Sequence, residues 1–174
     1  MIQINDSRLR SVELDDLTFI KNIRTSEDVQ SSVGCRVFLN DDKQKAWFKD
    51  ILENVKVLYA IFEIKNNNNW LNIGYVRITE IDHVNKSMMV GADLHASVRG
   101  KGYGRIVFKL LLELGFKQWA MNRLYLFVLE SNVRARTLYE KVGFKVEGVQ
   151  REAIYKNGRY EDYIMMSILR KDYL

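Results

Sequence analysis

The sequence predicts an α+β fold, with helices flanking one central mixed sheet. Short β-rich runs recur along the whole chain, and amphipathic helical stripes interrupt them. In the second half the order becomes strand, helix, strand, helix, strand, which is typical of a sheet covered by helices. The chain has 174 residues, no internal repeat and no low-complexity linker, so we expect one domain spanning residues 1–174.

The chain is predicted to begin with a strand and a helix. Residues 8–14 alternate in polarity and predict an edge-like strand. Asp15 or Asp16 then offers a side-chain N-cap for a helix that ends near Arg24. The segment 25–39 that follows has no clear period and is interpreted as a loop or broken helix.

A second helix is predicted after this loop, capped by Asp41 or Asp42. Its apolar face would consist of Trp47, Ile51, Leu52 and Val55. Three β-rich runs follow at residues 57–64, 71–81 and 88–94. The asparagine-rich stretch between the first two predicts a turn, so these strands are expected to form a meander.

The second half has the strongest local signals. Residues 103–114 carry apolar side chains at helical spacing, and residues 123–129 are continuously apolar, which predicts a strand buried on both faces. Asn132 would cap a further helix, and Gly143 is placed to end it. Two last strands are predicted around the Asn157-Gly158 pair, which favours a tight hairpin turn.

Composition narrows the function classes. The net charge is +5, but the basic residues are dispersed apart from Arg99, Lys101 and Arg105 around a glycine-rich turn. This favours a phosphate-bearing small molecule over a nucleic-acid partner. Cys35 is the only cysteine, so no internal disulfide or cysteine-based zinc cluster is expected, and no metal site is predicted.

The hydropathy pattern predicts a cytoplasmic protein without a membrane partner. No apolar run approaches the length that spans a bilayer. The first ten residues, MIQINDSRLR, lack the apolar segment of a secretory signal.

The turn "SVRGKGYGR" directly precedes the predicted helix at residues 103–114. Glycines at positions 100, 102 and 104 let backbone N–H groups approach an anion, and a helix N-terminus adds unpaired donors. A solvated turn with glycines chosen for geometry is the alternative. The mononucleotide P-loop pattern fails because Gly102 follows Lys101, and the spacing does not match the dinucleotide fingerprint.

The spacing Arg99-x-x-Gly102-x-Gly104 resembles the pyrophosphate-binding signature R/Q-x-x-G-x-G/A of the GNAT N-acetyltransferase superfamily. Residues 132–144, NVRARTLYEKVGF, resemble its second conserved region, N-x-x-A-x-x-L-Y-x-x-x-G-F, at every motif position. The second half is most similar to the branch that holds spermidine N-acetyltransferases and Rim-type acetyltransferases of ribosomal proteins. The resemblance covers residues 73–169 well and the first third only in outline.

The resemblance implies a mostly antiparallel sheet in which two parallel strands, residues 88–94 and 123–129, splay apart around acetyl-CoA. The pantetheine arm would follow the backbone of residues 94–98, and the pyrophosphate would sit on the turn amides. Asn132 would be a helix cap, a cofactor contact, or both. The residues expected at acetyl-CoA are Leu94, His95, Val98, Arg99, Gly100, Lys101, Gly102, Tyr103, Gly104, Asn132, Ala135 and Tyr139.

The implied reaction is direct attack of a neutral primary amine on the thioester. Tyr139 matches the family tyrosine that protonates the departing thiolate, although its place on an apolar helix face also suits a core residue. Glu80, Asp82 and Asp93 are candidates for the base, and each could equally be a solvated strand-end residue. His95 is expected to be structural or at the surface.

The acceptor stays open at this point: a polyamine, an amino sugar or an amino acid, with a protein N-terminus, including that of a ribosomal protein, as an alternative. A non-catalytic CoA-binding module is a further alternative. Glu27, Asp28, Asp41 and Asp42 could attract a cationic amine or simply cap helices. The stretch SSVGCRVFLNDD is less acidic than the same region of polyamine enzymes. Formation of a homodimer is also expected to be possible.

Overall fold

A computed structural model describes residues 1–30 and 38–173. Cys35 and the centre of the predicted loop therefore lie outside the described residues. The strands are β1 (Ile2–Ile4), β2 (Ser7–Ser11), β3 (Leu58–Asn66), β4 (Asn69–Asp82), β5 (Ser87–Leu94), β6 (Arg123–Leu129), β7 (Lys145–Lys156) and β8 (Arg159–Leu169). The helices are α1 (Leu17–Thr25), α2 (Glu27–Gln30), α3 (Asp41–Glu53), α4 (Tyr103–Leu112), α5 (Val133–Val142) and α6 (Arg170–Tyr173).

The described strands form one mixed sheet in the order β1-β2-β3-β4-β5-β6-β8-β7. β5 and β6 run parallel, and the other neighbours run antiparallel. The parallel ladder joins Ser87–Met89 to Arg123–Tyr125 and goes no further along either strand. Beyond Met89 the two strands separate, which opens a V-shaped gap in the sheet. The predicted α+β fold with splayed parallel strands is thus confirmed.

Each face of the sheet has its own apolar core. On one face α4 packs Val107, Phe108 and Leu111 against the buried side chains of β4, β5 and β6. On the other face α1 and α2 pack against β3 and β4, through Ile20, Ile23, Val29, Ile61 and Tyr75. The gap between β5 and β6 therefore connects the α4 side of the sheet with the α1 side.

The start of the chain corrects two sequence predictions. The strand predicted at residues 8–14 is β2, which ends at Ser11 and lies between β1 and β3, so it is not an edge strand. Asp16 occupies the N-cap position of α1, but its side chain makes no hydrogen bond to that helix: a short 3-10 turn precedes α1, and the Asp16 carboxylate instead accepts the N–H of Glu13 and binds Arg10 and Asn72. Arg10 and Asn72 come from β2 and β4, a pairing that local sequence does not reveal.

The predictions for α3 were also partly wrong. Its N-cap is Asn40, whose Oδ1 accepts the N–H of Lys43 at 2.8 Å, and not Asp41 or Asp42. Leu52 and Val55, predicted on its apolar face, are 69% and 86% exposed. The inward side chains are Gln44, Trp47, Phe48 and Ile51. The helix ends at Glu53, so Val55 never joins its face.

The second half follows its predictions closely. β6 has the predicted bounds, Asn132 Oδ1 accepts the N–H of Ala135 at 3.2 Å, and β7 and β8 turn at Asn157-Gly158. One expectation was wrong, because β6 is not buried on both faces: Tyr125 and Phe127 are half-exposed. They lie on the α1 side, where α1 packs further along the sheet, against β4 and β5.

Within the described residues, no helix is both long and apolar enough to span a membrane. In the same part of the chain, no group of three or more His, Cys, Asp and Glu residues is arranged to hold a metal ion.

Candidate active site

A cleft of about 820 Å³ opens where β5 and β6 separate, and α4 and α5 form its walls. Most residues predicted at acetyl-CoA line it: Leu94, Val98, Arg99, Gly100, Gly102, Gly104, Asn132, Ala135 and Tyr139. His95, Lys101 and Tyr103 do not. Tyr103 faces a separate cavity of about 350 Å³ beside Ile4 and Lys109. The structure thus brings both sequence motifs to one cleft.

The glycine turn is shaped to receive an anion. Gly100 and Gly102 have φ of +78° and +85°, which is the left-handed region that favours glycine. Gly102 is the N-cap residue of α4, and a Cβ built on it would meet no atom within 4 Å. The space in front of the first amides of α4 is therefore open, and Arg99, Arg105 and Arg134 line the same cleft. A pyrophosphate fits this arrangement of donors and cations.

Sequence reasoning missed the contribution of α5 beyond its motif residues. Arg134, Leu138 and Lys141 also line the cleft, at helical spacing along one face. Since Asn132 and Tyr139 fix the orientation of this helix, the i, i+4, i+7 series from Arg134 could have been found from the sequence. Asn132 both caps α5 and lines the cleft, so the structure is compatible with its two predicted roles.

Tyr139 is held by aromatic packing. Its ring lies 5.0 Å from the ring of Phe108 and 6.0 Å from that of Phe144, measured between centroids. Burial and, next, the charge of Asp93 raise the pKa of Tyr139 to about 12, while Arg77 opposes the rise. The phenol therefore stays protonated across the neutral range, and it can donate a proton into the cleft.

Asp93 lines the same cleft from β5 and is only 9% exposed. Its Oδ2 atom makes no hydrogen bond within the described part of the chain, and the nearest cation is Nη2 of Arg77 at 3.5 Å. Tyr75 lies beside it in the core, where burial, then the Asp93 charge and the approach of the phenol to the Asp93 side chain raise the pKa of Tyr75, while Arg77 opposes the rise. A buried carboxylate oxygen without a hydrogen bond is unusual, and here it belongs to a cleft residue.

The other predicted catalytic candidates lie elsewhere. Glu80 is exposed in a bulge of β4 with φ of +51° and does not line the cleft. It lies near Tyr125, where burial and then the Glu80 charge raise the pKa of the phenol. Asp82 accepts the N–H groups of Val84 and Asn85, so it shapes a turn. The structure thus brings Asp93, and not Glu80, together with Tyr139.

The acidic residues proposed to attract a cationic amine do not line the cleft where the structure describes their side chains. Asp41 Oδ1 is paired with Nζ of Lys21 at 2.5 Å on the surface, and this pairing lowers the pKa of Asp41. Asp42 and Glu27 are exposed, and the side chain of Asp28 lies outside the described part of the structure. Nδ1 of His95 and Oγ of Ser97 lie 2.8 Å apart in the turn after β5, in keeping with a structural histidine.

Comparison with known proteins defines the class. Residues 7–145 match the family model described as an acetyltransferase (GNAT) domain, and the chain belongs to this family. A spermidine N(1)-acetyltransferase of Vibrio cholerae serotype O1 is 29% identical over 167 residues, which cover 95% of this chain and 94% of that protein. The Bacillus subtilis protein YdaF, a candidate ribosomal N-acetyltransferase, is 26% identical over 100 residues, or 58% and 55% of the two chains.

The fold agrees with solved structures. The crystal structure of a Vibrio cholerae spermidine N-acetyltransferase in complex with CoA and spermine has a TM-score of 0.90, at 27% sequence identity. The match covers 98% of this chain and 99% of that one. The chain is thus an N-acetyltransferase that uses acetyl-CoA as co-substrate and a primary amine as acceptor.

Proposed function

We propose that this chain transfers the acetyl group of acetyl-CoA to the amine of a small molecule, with Asp93 as proton acceptor and Tyr139 as proton donor. The observation that carries the proposal is the unsatisfied, buried Oδ2 of Asp93 in the cleft that Tyr139 lines. Groups that are buried, titratable and left without a hydrogen-bond partner inside a cleft are candidates for proton transfer.

The acceptor arrives as an ammonium ion and must lose a proton before it can attack. Asp93 Oδ2 accepts no hydrogen bond among the described residues, so it has a lone pair for that proton, and Nη2 of Arg77 lies 3.5 Å away. The neutral amine then attacks the thioester carbon, and a backbone N–H near Leu94 stabilises the developing oxyanion. The C–S bond breaks, and Tyr139 donates its proton to the departing thiolate of CoA.

The cofactor has a complementary place in the same cleft. Its pyrophosphate would bind the amides of residues 100–104, with Arg99 and Arg134 supplying charge. The pantetheine arm would follow the end of β5, and Asn132 and Ala135 would contact it from α5. His95, Lys101 and Tyr103 remain predictions as cofactor contacts, since they do not line the cleft. Glu80 remains a second, weaker candidate for the base.

The related proteins suggest acceptors to test first. A Vibrio cholerae relative is named for spermidine, which makes a polyamine one candidate. Amino sugars and amino acids are further small-molecule candidates, and a protein N-terminus is the macromolecular one. We further propose a cytoplasmic, single-domain protein that does not bind nucleic acid. β7 is one of the two outer strands of the described sheet and would offer its free edge for pairing in a homodimer.

A thiol-release assay tests the proposed function. The purified protein would be mixed with acetyl-CoA and a panel of amines, and released CoA would be measured against a background without amine. Release with at least one amine, lost in Asp93→Asn and Tyr139→Phe, is the expected result. Tight acetyl-CoA binding with no release for any amine would favour a non-catalytic CoA-binding module. Full activity in Tyr139→Phe would remove the assigned acid.

A further inference from the structure

The side chain of Arg77 occupies the space that a glycine of the neighbouring strand leaves beside Asp93. It lies on β4, paired with Gly91 of β5, on the face of the sheet that α1 covers. A Cβ built on Gly91 would lie 2.9 Å from Nη2 and 3.3 Å from Nε of Arg77. The guanidinium therefore crosses β5 directly over Gly91, toward the gap where β5 and β6 part.

The electrostatic neighbours of Arg77 agree with this position. Its charge opposes the burial-driven rise in the pKa of both Tyr139 and Tyr163, although these residues belong to α5 and β8, beyond the gap. It also lies near Asp93, at 3.5 Å. Arg77 thus contacts the proposed proton acceptor, and its charge reaches the proposed proton donor, from the side opposite α4.

Much of the binding capacity of Arg77 is unused. The side chain is 36% exposed, and among the described residues its guanidinium makes no hydrogen bond and forms one ion pair, the 3.5 Å approach to Asp93. A guanidinium presents a planar fork of N–H donors that matches carboxylate and phosphate oxygens. Phe127 and Tyr163, on the neighbouring strands β6 and β8, are themselves half-exposed.

The described charges on this side of the sheet carry both signs. Arg24 at the end of α1 adds a second guanidinium, stacked 4.8 Å over the ring of Trp47, and its charge reaches Tyr75. The described carboxylates include the buried Asp93 and the exposed Glu80 near Tyr125, while the buried Asp16 and Glu63 further along the sheet are already bonded to arginines of β2. An amine with a neighbouring anion would match both Asp93 and Arg77, whereas a polyamine bound at Asp93 would bring a further ammonium group toward Arg77.

We propose that the natural acceptor carries an anionic group, a carboxylate or a phosphate, close to its reactive amine, and that Arg77 binds this anion while Asp93 receives the ammonium. Arg77 is then a specificity-determining residue, and Gly91 is the space that lets it reach the substrate. The proposal deepens the proposed function and rests on it, because it assumes that the amine enters beside Asp93.

The test uses pairs of amines that differ only in the anion: 4-aminobutyrate and butylamine, phosphoethanolamine and ethanolamine, and a nucleoside-diphosphate amino sugar and the free amino sugar, with spermidine alongside. The expected result is that at least one anionic member exceeds its partner by about tenfold or more in kcat/KM. Whether the carboxylate pair or a phosphate pair gives the larger ratio identifies the anion. Spermidine or the neutral members exceeding every anionic member would overturn the proposal.

Variants assign the preference to Arg77. Arg77→Met should reduce the ratio of anionic to neutral kcat/KM by about tenfold, and Arg77→Lys should retain part of it. Gly91→Ala keeps every charge but displaces the guanidinium, so the ratio should fall there too. Arg151→Met removes an exposed arginine of β7 and should leave the ratio unchanged. The readout is the ratio of kcat/KM for the anionic and the neutral amine in the same variant. An indirect effect of Arg77 on Asp93 changes both values alike, so it cancels in this ratio. An unchanged ratio in Arg77→Met would contradict the assignment.

Binding separates this proposal from the proposed function. If no amine releases CoA, titration calorimetry with each anionic amine in the presence of CoA still measures the proposed contact. Binding that is lost in Arg77→Met would support the anion site while the catalytic proposal fails. Binding that is absent, or equal in both proteins, would overturn the anion site.

Discussion

Two clusters in this molecule combine buried carboxylates with arginine, and they differ in how completely the carboxylates are bonded. In the first, here called the β2 cluster, Asp16 and Glu63 are 5% and 4% exposed and bind Arg8 and Arg10 of β2. In the second, Asp93 is 9% exposed and lies near Arg77. Burial alone therefore does not distinguish the two.

Hydrogen bonding does distinguish them. Each oxygen of Asp16 accepts two hydrogen bonds, from Arg10, Asn72 and the backbone of Glu13, at 2.6 to 3.0 Å. Oδ2 of Asp93 accepts none among the described residues. A fully bonded buried carboxylate is needed by its partners, because its removal would leave a buried charge uncompensated and destabilise the fold. A buried carboxylate that lacks hydrogen-bond partners in a cleft is available to a ligand. The number of hydrogen bonds that a buried carboxylate accepts is therefore a better guide to its function than its burial.

The largest expected effect concerns the β2 cluster. Asp16→Asn removes a charge that Arg10 faces, and loss of one partner of a buried pair lowers the free energy of unfolding by about 3–5 kcal/mol. Thermal unfolding should show a Tm lower by roughly 6–20 °C. The kcat of the protein that remains folded should match that of the parent. Asp93→Asn should leave Tm nearly unchanged, and equal Tm losses in both variants would break the comparison.

The next effect concerns the donor in the cleft. Tyr139→Phe keeps the ring packing on Phe108 but removes the phenol proton, so kcat should fall about 10²- to 10³-fold. The KM for acetyl-CoA should change little, since the backbone of the glycine turn is intact. The matched control is Tyr155→Phe, which alters a tyrosine that is 62% exposed on the β7–β8 hairpin. Steady-state kinetics of both variants measure the difference.

A smaller effect is expected at two helix N-cap residues, one that lines the cleft and one that lies outside it. Asn132 and Asn40 both accept an N–H three residues ahead, at the starts of α5 and α3. Replacing either with alanine should lower the free energy of unfolding by about 1 kcal/mol. Only Asn132→Ala should also raise the KM for acetyl-CoA, because Asn132 lines the cleft. Equal KM values for the two variants would remove the cofactor role of Asn132.

The smallest effect comes from a half-exposed pair, Glu147 of β7 with Arg123 of β6. The hydrogen bond from Arg123 lowers the pKa of Glu147 to about 2, more than burial raises it. A lowered folded-state pKa stabilises the fold above the unfolded value and loses this contribution as pH falls from about 4.5 toward 2. The contribution is about 0.2–1 kcal/mol because solvent screens the pair. Urea unfolding of Glu147→Gln across this pH window should have a correspondingly weaker pH dependence.

The parts of the fold that local sequence determines were predicted well. The helix that Asn132 starts and Gly143 ends has its caps and apolar face within one short segment, and the structure confirms it. The glycine turn was equally readable, because positive φ and a helix start are local properties. Asp16 was misread as a cap because one of its partners, Asn72, lies 56 residues away.

The candidate site was predictable only in part, for a similar reason. Asp93 could be named from its strand end, but its free oxygen depends on how β5 and β6 separate. Arg77 was missed, since strand alternation places a residue on a face without showing where a long side chain reaches. The role proposed for it rests on the register that sets it opposite Gly91. The register of the strands and the separation of β5 from β6 are tertiary properties, which cannot be predicted from the local pattern of a single sequence.

The most direct test of the central claim is the pH dependence of kcat/KM in Asp93→Asn. If Asp93 removes the proton, the variant should lose about 10²-fold at neutral pH and recover as rising pH deprotonates the amine in solution. Asp16→Asn, measured in parallel while folded, should follow the parent profile. A loss in Asp93→Asn that stays constant from neutral pH to the pKa of the amine would contradict Asp93 as the proton acceptor.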